Sequence, residues 1–242
     1  MSFFIKDYKL LLELLKVSKF YGEKKILEEI SFQLDKGECL TIFGPNGSGK
    51  TTLLDILASN AAYDEGIIKE FSYKRPIDDL IINPKIGFLG HQTMLHPALT
   101  VEENLMFFAK LYRVNLAKER ILQLLSEFSL QHLRSIKISE LSHGHQKLVG
   151  FVRVLLHDPE LLLLDEPETG LDAKFLDILK SYIKTFKKDK TIIITSHSFD
   201  LGISWSDRLA ILFKGKLTLY ENSIKELAKF KNNFQSVFGV LG

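Results

Sequence analysis

A glycine-rich segment of nine residues constrains the fold of this 242-residue chain more than any other feature. It follows the apolar run Cys39–Phe43, which predicts a buried strand, and precedes Thr52–Ala58, which predicts a helix. The segment fits the pattern G-x-x-x-x-G-K-[ST], whose glycines let backbone N–H groups turn toward phosphate oxygens at a helix N-terminus. The lysine supplies a mobile charge for the β- and γ-phosphates, and the next hydroxyl can ligate Mg²⁺. The predicted nucleotide-phosphate site comprises Gly44, Pro45, Asn46, Gly47, Ser48, Gly49, Lys50, Thr51 and Thr52.

Two carboxylates follow a second buried strand. Asp165 and Glu166 come directly after Leu161–Leu164. An isolated Asp-Glu pair is usually a solvated turn, but the leucines before it and the phosphate loop upstream favour a site. Ligands of open parallel sheets bind at the carboxyl ends of strands, so this pair should lie beside the phosphate loop. We predict that Asp165 holds Mg²⁺, directly or through water, and that Glu166 polarises the attacking water.

A histidine ends a third strand. His197 closes the run Thr191–Thr195 with one serine between them. A lone histidine is more often structural than functional. At a strand end in the same sheet, however, its side chain can reach a γ-phosphate and supply positioning and charge stabilisation.

The remaining pattern predicts an α/β fold. Buried strands alternate with helical patterns, which indicates a mostly parallel sheet flanked by helices. Leu10–Phe20 and Ile26–Leu34 predict an N-terminal antiparallel β subdomain, and Leu209–Phe213 with Lys216–Tyr220 predict a late hairpin. A mostly helical insertion, about residues 93–158, and a helical tail, about residues 221–242, complete a single predicted domain, 1–242. The predicted helices of the insertion are Val101–Tyr112, Ala117–Phe128 and Ser142–His157.

Composition excludes several classes of protein. The 32 basic and 30 acidic residues give a formal charge of +2, so no nucleic-acid footprint is present. A single cysteine, Cys39, fits a reducing compartment. No stretch approaches the ~18 apolar residues of a membrane span, and Phe3–Ile5 is too short for a signal peptide. We expect an intracellular chain; if it acts at a membrane, another chain must cross it.

Between the phosphate loop and Asp165 lies a segment that suggests a family. Leu141-Ser142-His143-Gly144-His145-Gln146 resembles the signature Leu-Ser-Gly-Gly-Gln of ATP-binding cassette (ABC) proteins. The resemblance covers about Leu10 to Tyr220 and implies a P-loop NTPase core. Two histidines depart from the signature: His143 replaces a glycine and His145 the glutamine.

The resemblance implies further roles. Tyr21 matches the aromatic residue that stacks on adenine, although a packing role competes. Gln92, in the segment from Ile86 to Gln92, matches a glutamine that touches Mg²⁺ and the attacking water. Glu168–Asp172 matches the loop crossing a dimer interface, with Asp172 at its acidic position and Glu168 adding a negative charge near the Mg²⁺ site. Glu166 matches the catalytic base, and His197 the switch histidine. The implied metal ligands are Thr51, Gln92 and Asp165.

The family mechanism implies partners. Ser142 and Gly144 of one chain would cap the γ-phosphate of ATP on a second chain, so two ATP molecules lie in a homo- or heterodimer. A separate transmembrane permease would place the chain at the cytoplasmic face of the membrane. The run Gly90–Leu105 is similar to export-type ATPases of drug-export and haem-exporter systems.

Other functions stay open at this stage. A soluble ABC ATPase, or a weakly hydrolysing regulatory cassette caused by the two signature histidines, is an alternative. A GTPase-type switch would need an Asn-Lys-x-Asp motif, which the sequence does not contain.

Overall fold

Six strands build the central sheet in the order β10-β9-β3-β8-β7-β6. This computed structural model describes residues 10–77, 83–187, 189–221 and 224–239. Neighbouring strands from β9 to β6 run parallel, and β10 pairs antiparallel with β9 at the edge. The mostly parallel sheet and the late hairpin are therefore confirmed. The strands are β3 Cys39–Phe43, β6 Ile86–Leu89, β7 Leu161–Asp165, β8 Thr191–Ser196, β9 Arg208–Phe213 and β10 Lys216–Glu221.

The predicted antiparallel sheet is also present, and it is larger than expected. Its strands are β1 Leu10–Tyr21, β2 Lys24–Asp35, β4 Glu65–Glu70 and β5 Tyr73–Arg75, in the order β2-β1-β4-β5. We did not predict β4 and β5, because their sequences are rich in charge. Long-range contacts stabilise them instead: β4 pairs antiparallel with β1, and the buried Arg75 of β5 donates to the Leu57 carbonyl at 3.2 Å.

The insertion between β6 and β7 is helical, as predicted. It contains α2 Val101–Leu111, α3 Ala117–Glu127 and α4 His143–Leu155, with short 3-10 helices at Gln131–Leu133 and Ile138–Glu140. Helix α1, Lys50–Leu57, follows the phosphate loop. Two helices that we did not predict, α5 Ala173–Phe186 and α6 Phe199–Trp205, flank β8.

The tail forms α7, Ile224–Gly239, as its pattern predicted. Phe230 of this helix is fully buried, and its ring centroid lies 5.3 Å from that of Phe43, the last residue of β3. The tail therefore packs behind the strand that leads into the phosphate loop. Residues 240–242 and Phe3–Ile5, on which the signal-peptide argument rests, lie outside the described residues.

Candidate functional site: a phosphate cleft at the carboxyl ends of three strands

Three predicted motifs meet at one edge of the parallel sheet. In the register of the sheet Phe43 lies opposite Ser196, and Asp165 lies opposite Thr195. The segments that follow β3, β7 and β8 therefore emerge side by side. They border a cleft of about 500 Å³ lined by Lys24, Ile26, Asn46, Gly47, Gly49, Lys50, Thr51, Thr52, His91 and Glu166.

The phosphate loop depends on glycine at two positions. Gly49 has φ 105° and is the residue that immediately precedes α1, a conformation that L side chains rarely adopt. A Cβ on Gly44 would come within 2.3 Å of the Leu212 carbonyl oxygen. The loop can therefore run close to β9 and turn directly into a helix whose first N–H groups face the cleft.

The loop also contains a polar atom suited to a phosphate. The Ser48 hydroxyl is buried and has no hydrogen-bond partner among the described residues. Lys50 is 5% exposed, and its ammonium donates to the Gly44 carbonyl at 2.7 Å and to the Pro45 carbonyl at 3.3 Å. A buried hydroxyl, free helix N–H groups and a lysine are the donors that a triphosphate requires, so these residues fit a nucleotide.

Asp165 is held in a fixed orientation. It is fully buried, and its Oδ1 accepts from the Thr195 hydroxyl at 2.6 Å. Its Oδ2 accepts from the Thr51 hydroxyl at 2.8 Å and lies 3.3 Å from His91 Nε2. One carboxylate oxygen and one hydroxyl thus meet beside the phosphate loop, and oxygen donors of this kind suit Mg²⁺.

Glu166 lies between two basic groups. Its Oε1 is 2.5 Å from His197 Nε2 and 3.5 Å from Lys50 Nζ. Its backbone has φ 48°, uncommon for a residue with a Cβ, and its N–H donates to the Thr195 carbonyl and hydroxyl oxygens. Strained backbone of this kind is concentrated at functional sites. The carboxylate is therefore aimed into the cleft by the strand that precedes it.

A buried lysine that sequence reasoning missed supports the acidic pair. Lys147, on α4, donates through Nζ to the Glu166 and Thr169 carbonyl oxygens at 2.7 Å each. Burial lowers the pKa of its ammonium, and the negative charges of Glu168, Glu166 and Asp165 oppose that shift. Lys50 shows the same balance: burial lowers its pKa, and Glu166 opposes most strongly. Lys147 directly connects the signature helix to the loop that contains the predicted base.

Glu168 adds a negative charge that acts on Lys50 and Lys147, and its hydrogen bonds are made to the end of β8. Its Oε1 accepts from the Ser196 hydroxyl at 2.5 Å and from the His197 N–H at 3.2 Å. The carboxylate therefore holds the Ser196 side chain and the His197 backbone at the β8 terminus and positions His197.

The signature segment forms the start of α4. The Ser142 hydroxyl accepts from the His145 N–H at 3.3 Å and lies 2.8 Å from His145 Nδ1. Ser142 is exposed, and neither it nor Gly144 lines the cleft of its own chain within the described residues. A Cβ on Gly144 would lie 3.2 Å from the Phe175 ring, so glycine lets α4 and α5 approach closely.

Three other predicted residues are not brought into the cleft. Asp172 is exposed and caps α5 by accepting from the Phe175 N–H at 2.9 Å. Tyr21 is 56% exposed at the end of β1, opposite Lys24, which does line the cleft. Gln92 is exposed and is not among the described residues that line the cleft; the neighbouring His91 is. His91 has no motif of its own, and its contact with Asp165 becomes visible only in three dimensions.

Comparisons with known proteins agree with this geometry. Residues 27–169 match the family described as ABC transporter. The Nod factor export ATP-binding protein I of Rhizobium etli is 34% identical over 203 residues, which cover 83% of this chain and 64% of that protein. The ATP-binding protein NatA of Bacillus subtilis is 31% identical over 216 residues, which cover 86% of this chain and 87% of that protein. The chain thus spans just under two thirds of the length of the first of these relatives.

Solved structures agree as well. An ATP-binding subunit of an ABC transporter superposes with a TM-score of 0.82 at 27% identity, covering 94% of each chain. A dimeric cassette in a post-hydrolysis state with ADP and Pi superposes with a TM-score of 0.79 at 26% identity, covering 88% of this chain and 99% of that one.

The family match extends over more than half of the chain and coincides with the phosphate loop and the acidic pair. This chain belongs to the ABC transporter family. Its fold and cleft are those of an ABC ATPase cassette. Among the described residues, no helix combines the length and apolar character that crossing a bilayer requires.

Proposed function

We propose that this chain binds and hydrolyses ATP between two paired cassettes and that the cycle drives transport, in the export direction, through a separate permease. One observation carries the proposal: Lys50 and Glu166 line the phosphate cleft, and Glu166 Oε1 lies near both Lys50 and His197. This arrangement provides an anion cradle and a base with its orienting partner in one place.

In this proposal each residue of the site has a distinct role. The backbone N–H groups of the loop, the Ser48 hydroxyl and Lys50 bind the phosphates. An incoming γ-phosphate competes with the Glu166 carboxylate for Lys50, because both are anions that require the same ammonium. Glu166 then accepts a proton from the attacking water, and His197 orients that carboxylate. In the same proposal Tyr21, which is exposed opposite the cleft-lining Lys24, stacks on adenine.

Mg²⁺ is the cofactor that the oxygen donors favour. The Thr51 hydroxyl and Asp165 Oδ2 would hold it, and the Thr195 hydroxyl would fix the orientation of Asp165. When bound, the ion neutralises charge on the phosphate oxygens.

A second cassette completes the site in this proposal. Ser142 is exposed at the N-terminus of the 13-residue helix α4, where a hydroxyl and backbone N–H groups can bind an anion. In the same proposal Gly144 contributes at that terminus, and Asp172 lies in the loop that crosses the interface. The dimeric relative with ADP and Pi supports this pairing.

An apolar groove supports a membrane partner. A groove of about 410 Å³ is lined by Met94, Leu95, Phe107 and Phe108, among others, and the Met94 and Phe107 side chains are 64% and 58% exposed. A cytoplasmic helix of a permease would bury these side chains, and it would place the chain at the cytoplasmic face of the membrane. The relatives named for Nod factor export and linearmycin resistance support the export direction.

ATP-driven association tests the proposal. With ATP and Mg²⁺ the purified chain should hydrolyse ATP, be inhibited by vanadate and dimerise on a sizing column under turnover-blocking conditions. Negligible hydrolysis with intact nucleotide binding would favour the regulatory alternative.

Co-expression tests the membrane partner. Co-expression with a multi-span protein encoded beside this chain should give a complex that Phe107→Asp disrupts. ATP hydrolysis without such a complex would favour a soluble ABC ATPase.

A further inference from the structure

A histidine reaches the predicted metal position from the loop after β6. His91 Nε2 lies 3.3 Å from Asp165 Oδ2, the oxygen that also accepts from the Thr51 hydroxyl. One donor atom each from His91, Asp165 and Glu166 all lie within 4.8 Å of one another. A nitrogen donor is therefore part of a donor set that would otherwise consist of oxygen.

We propose that His91, rather than Gln92, is the ligand that this loop supplies to the cation of the bound nucleotide, and that its imidazole raises the affinity of the site for Mn²⁺ relative to that of an all-oxygen site, while its affinity for Mg²⁺ stays nearly the same. The inference rests on the proposed function only in requiring that a metal–nucleotide complex binds in the cleft.

The geometry separates the two neighbouring side chains. His91 lines the cleft and contacts the buried Asp165 carboxylate. Both side chains are exposed, but Gln92 is not among the described residues lining the cleft. The family resemblance implied Gln92 for this role. The path of the backbone after Leu89 determines instead which of the two faces the acidic pair.

The chemistry of the donors determines the preference. Mg²⁺ takes oxygen ligands in near-ideal octahedral geometry, whereas imidazole nitrogen favours first-row transition metals. Asp165 Oδ1 is occupied by the Thr195 hydroxyl, so Oδ2 is the oxygen that faces both Thr51 and His91. A cation bound there would meet one carboxylate oxygen, one hydroxyl, phosphate oxygens and one nitrogen. The nitrogen strengthens binding of Mn²⁺ and contributes little to binding of Mg²⁺.

Electron paramagnetic resonance tests this without turnover. The full chain is titrated with Mn²⁺ in the presence of ADP, and the free-ion signal gives the dissociation constant. We expect His91→Gln to weaken Mn²⁺ binding on the order of tenfold and to change Mg²⁺ competition by less than about threefold. His96→Gln, a change at another histidine of the same loop, serves as the control and should leave both constants unchanged.

A direct signature identifies the ligand atom. With ADP labelled uniformly with ¹⁵N, pulsed resonance of bound Mn²⁺ should show ¹⁴N modulation in the wild-type chain that His91→Gln abolishes. Wild-type spectra without ¹⁴N modulation would overturn the proposal. It would also be overturned if Gln92→Ala weakened Mn²⁺ binding while His91→Gln did not.

The failure of this inference can be distinguished from the failure of the proposed function. Fluorescent ADP is titrated in the presence of EDTA, where no divalent cation contributes. If ADP binds there and His91→Gln leaves Mn²⁺ binding intact, only the ligand assignment is wrong. If ADP does not bind at all, the nucleotide site itself is wrong.

Discussion

The Nε2 atom of His197 lies 2.5 Å from Oε1 of Glu166, although 31 positions separate the two residues in the sequence. The carboxylate thereby has its orienting partner on the neighbouring strand β8. Lys50 lies 3.5 Å from the same oxygen. One oxygen of the proposed base therefore contacts both the positioning imidazole and the phosphate-binding ammonium. A phosphate that enters the cleft would affect all three groups together.

Glu166→Gln should uncouple ATP binding from hydrolysis. Removing the base lowers turnover by about 10²–10⁴-fold, because an amide cannot accept the proton of the attacking water. Binding of ATP should persist, and the dimer should be trapped. Phosphate release and column elution measure the two effects. Glu119→Gln, an exposed change on α3, is the matched control. Wild-type turnover in Glu166→Gln would show that another group is the base.

Lys50→Ala should weaken nucleotide binding. The ammonium is the buried cation of the phosphate loop, and its loss removes charge-assisted hydrogen bonds to phosphate. We expect at least about a tenfold increase in the dissociation constant of a fluorescent ADP, roughly 1.4 kcal/mol of binding free energy. Lys74→Ala, at an exposed position on β5, should bind as the wild type does. Equal binding by both variants would contradict the assigned role of Lys50.

Glu168→Ala should destabilise the end of β8. It removes the side-chain acceptor of the His197 N–H and leaves the Ser196 hydroxyl with only the Ser198 carbonyl at 3.3 Å, which we expect to cost about 1–3 kcal/mol in the free energy of unfolding. Denaturant titration measures that loss. Turnover should fall as well, because His197 is no longer held beside Glu166. A variant with unchanged stability and turnover would show that the carboxylate positions nothing.

Lys147 should make stability depend on pH in a defined direction. Burial lowers the pKa of its ammonium below the ordinary lysine value of 10.5, so the folded chain binds fewer protons than the unfolded chain below that pH. The free energy of unfolding of the wild type, measured relative to Lys147→Met, should therefore rise as the pH increases from 7 toward 10. Denaturant titrations of both proteins across this range give the difference. A difference that falls with pH would mean that the ammonium is stabilised by its surroundings.

Ser142→Ala should affect stability and dimer formation separately. Loss of the N-cap of α4 costs about 0.5–2 kcal/mol, and Thr100→Ala removes the comparable cap of α2. Both variants should therefore unfold more easily, but only Ser142→Ala should reduce ATP-dependent dimerisation on a sizing column. If Thr100→Ala reduced it equally, lower stability rather than contact with phosphate would explain the effect.

Linear motifs were the features that sequence reasoning found reliably. The phosphate loop lies within consecutive residues, and the apolar runs of β3, β7 and β8 reflect burial on both faces of a parallel sheet. Strands β4 and β5 and helices α5 and α6 were missed, because their stability comes from pairing and packing with distant parts of the chain.

The amino-acid order by itself determined the family, the class of fold and the identity of the groups that can bind phosphate, since local pattern and spacing are sufficient to specify a glycine-rich turn between a buried strand and a helix. Only the tertiary structure decided that His91 rather than Gln92 faces Asp165, that Lys147 supports the Glu166 backbone and that Glu168 holds the His197 segment. The physical reason is that each contact joins segments far apart in the chain, and the direction of each side chain depends on how the backbone leaves its strand.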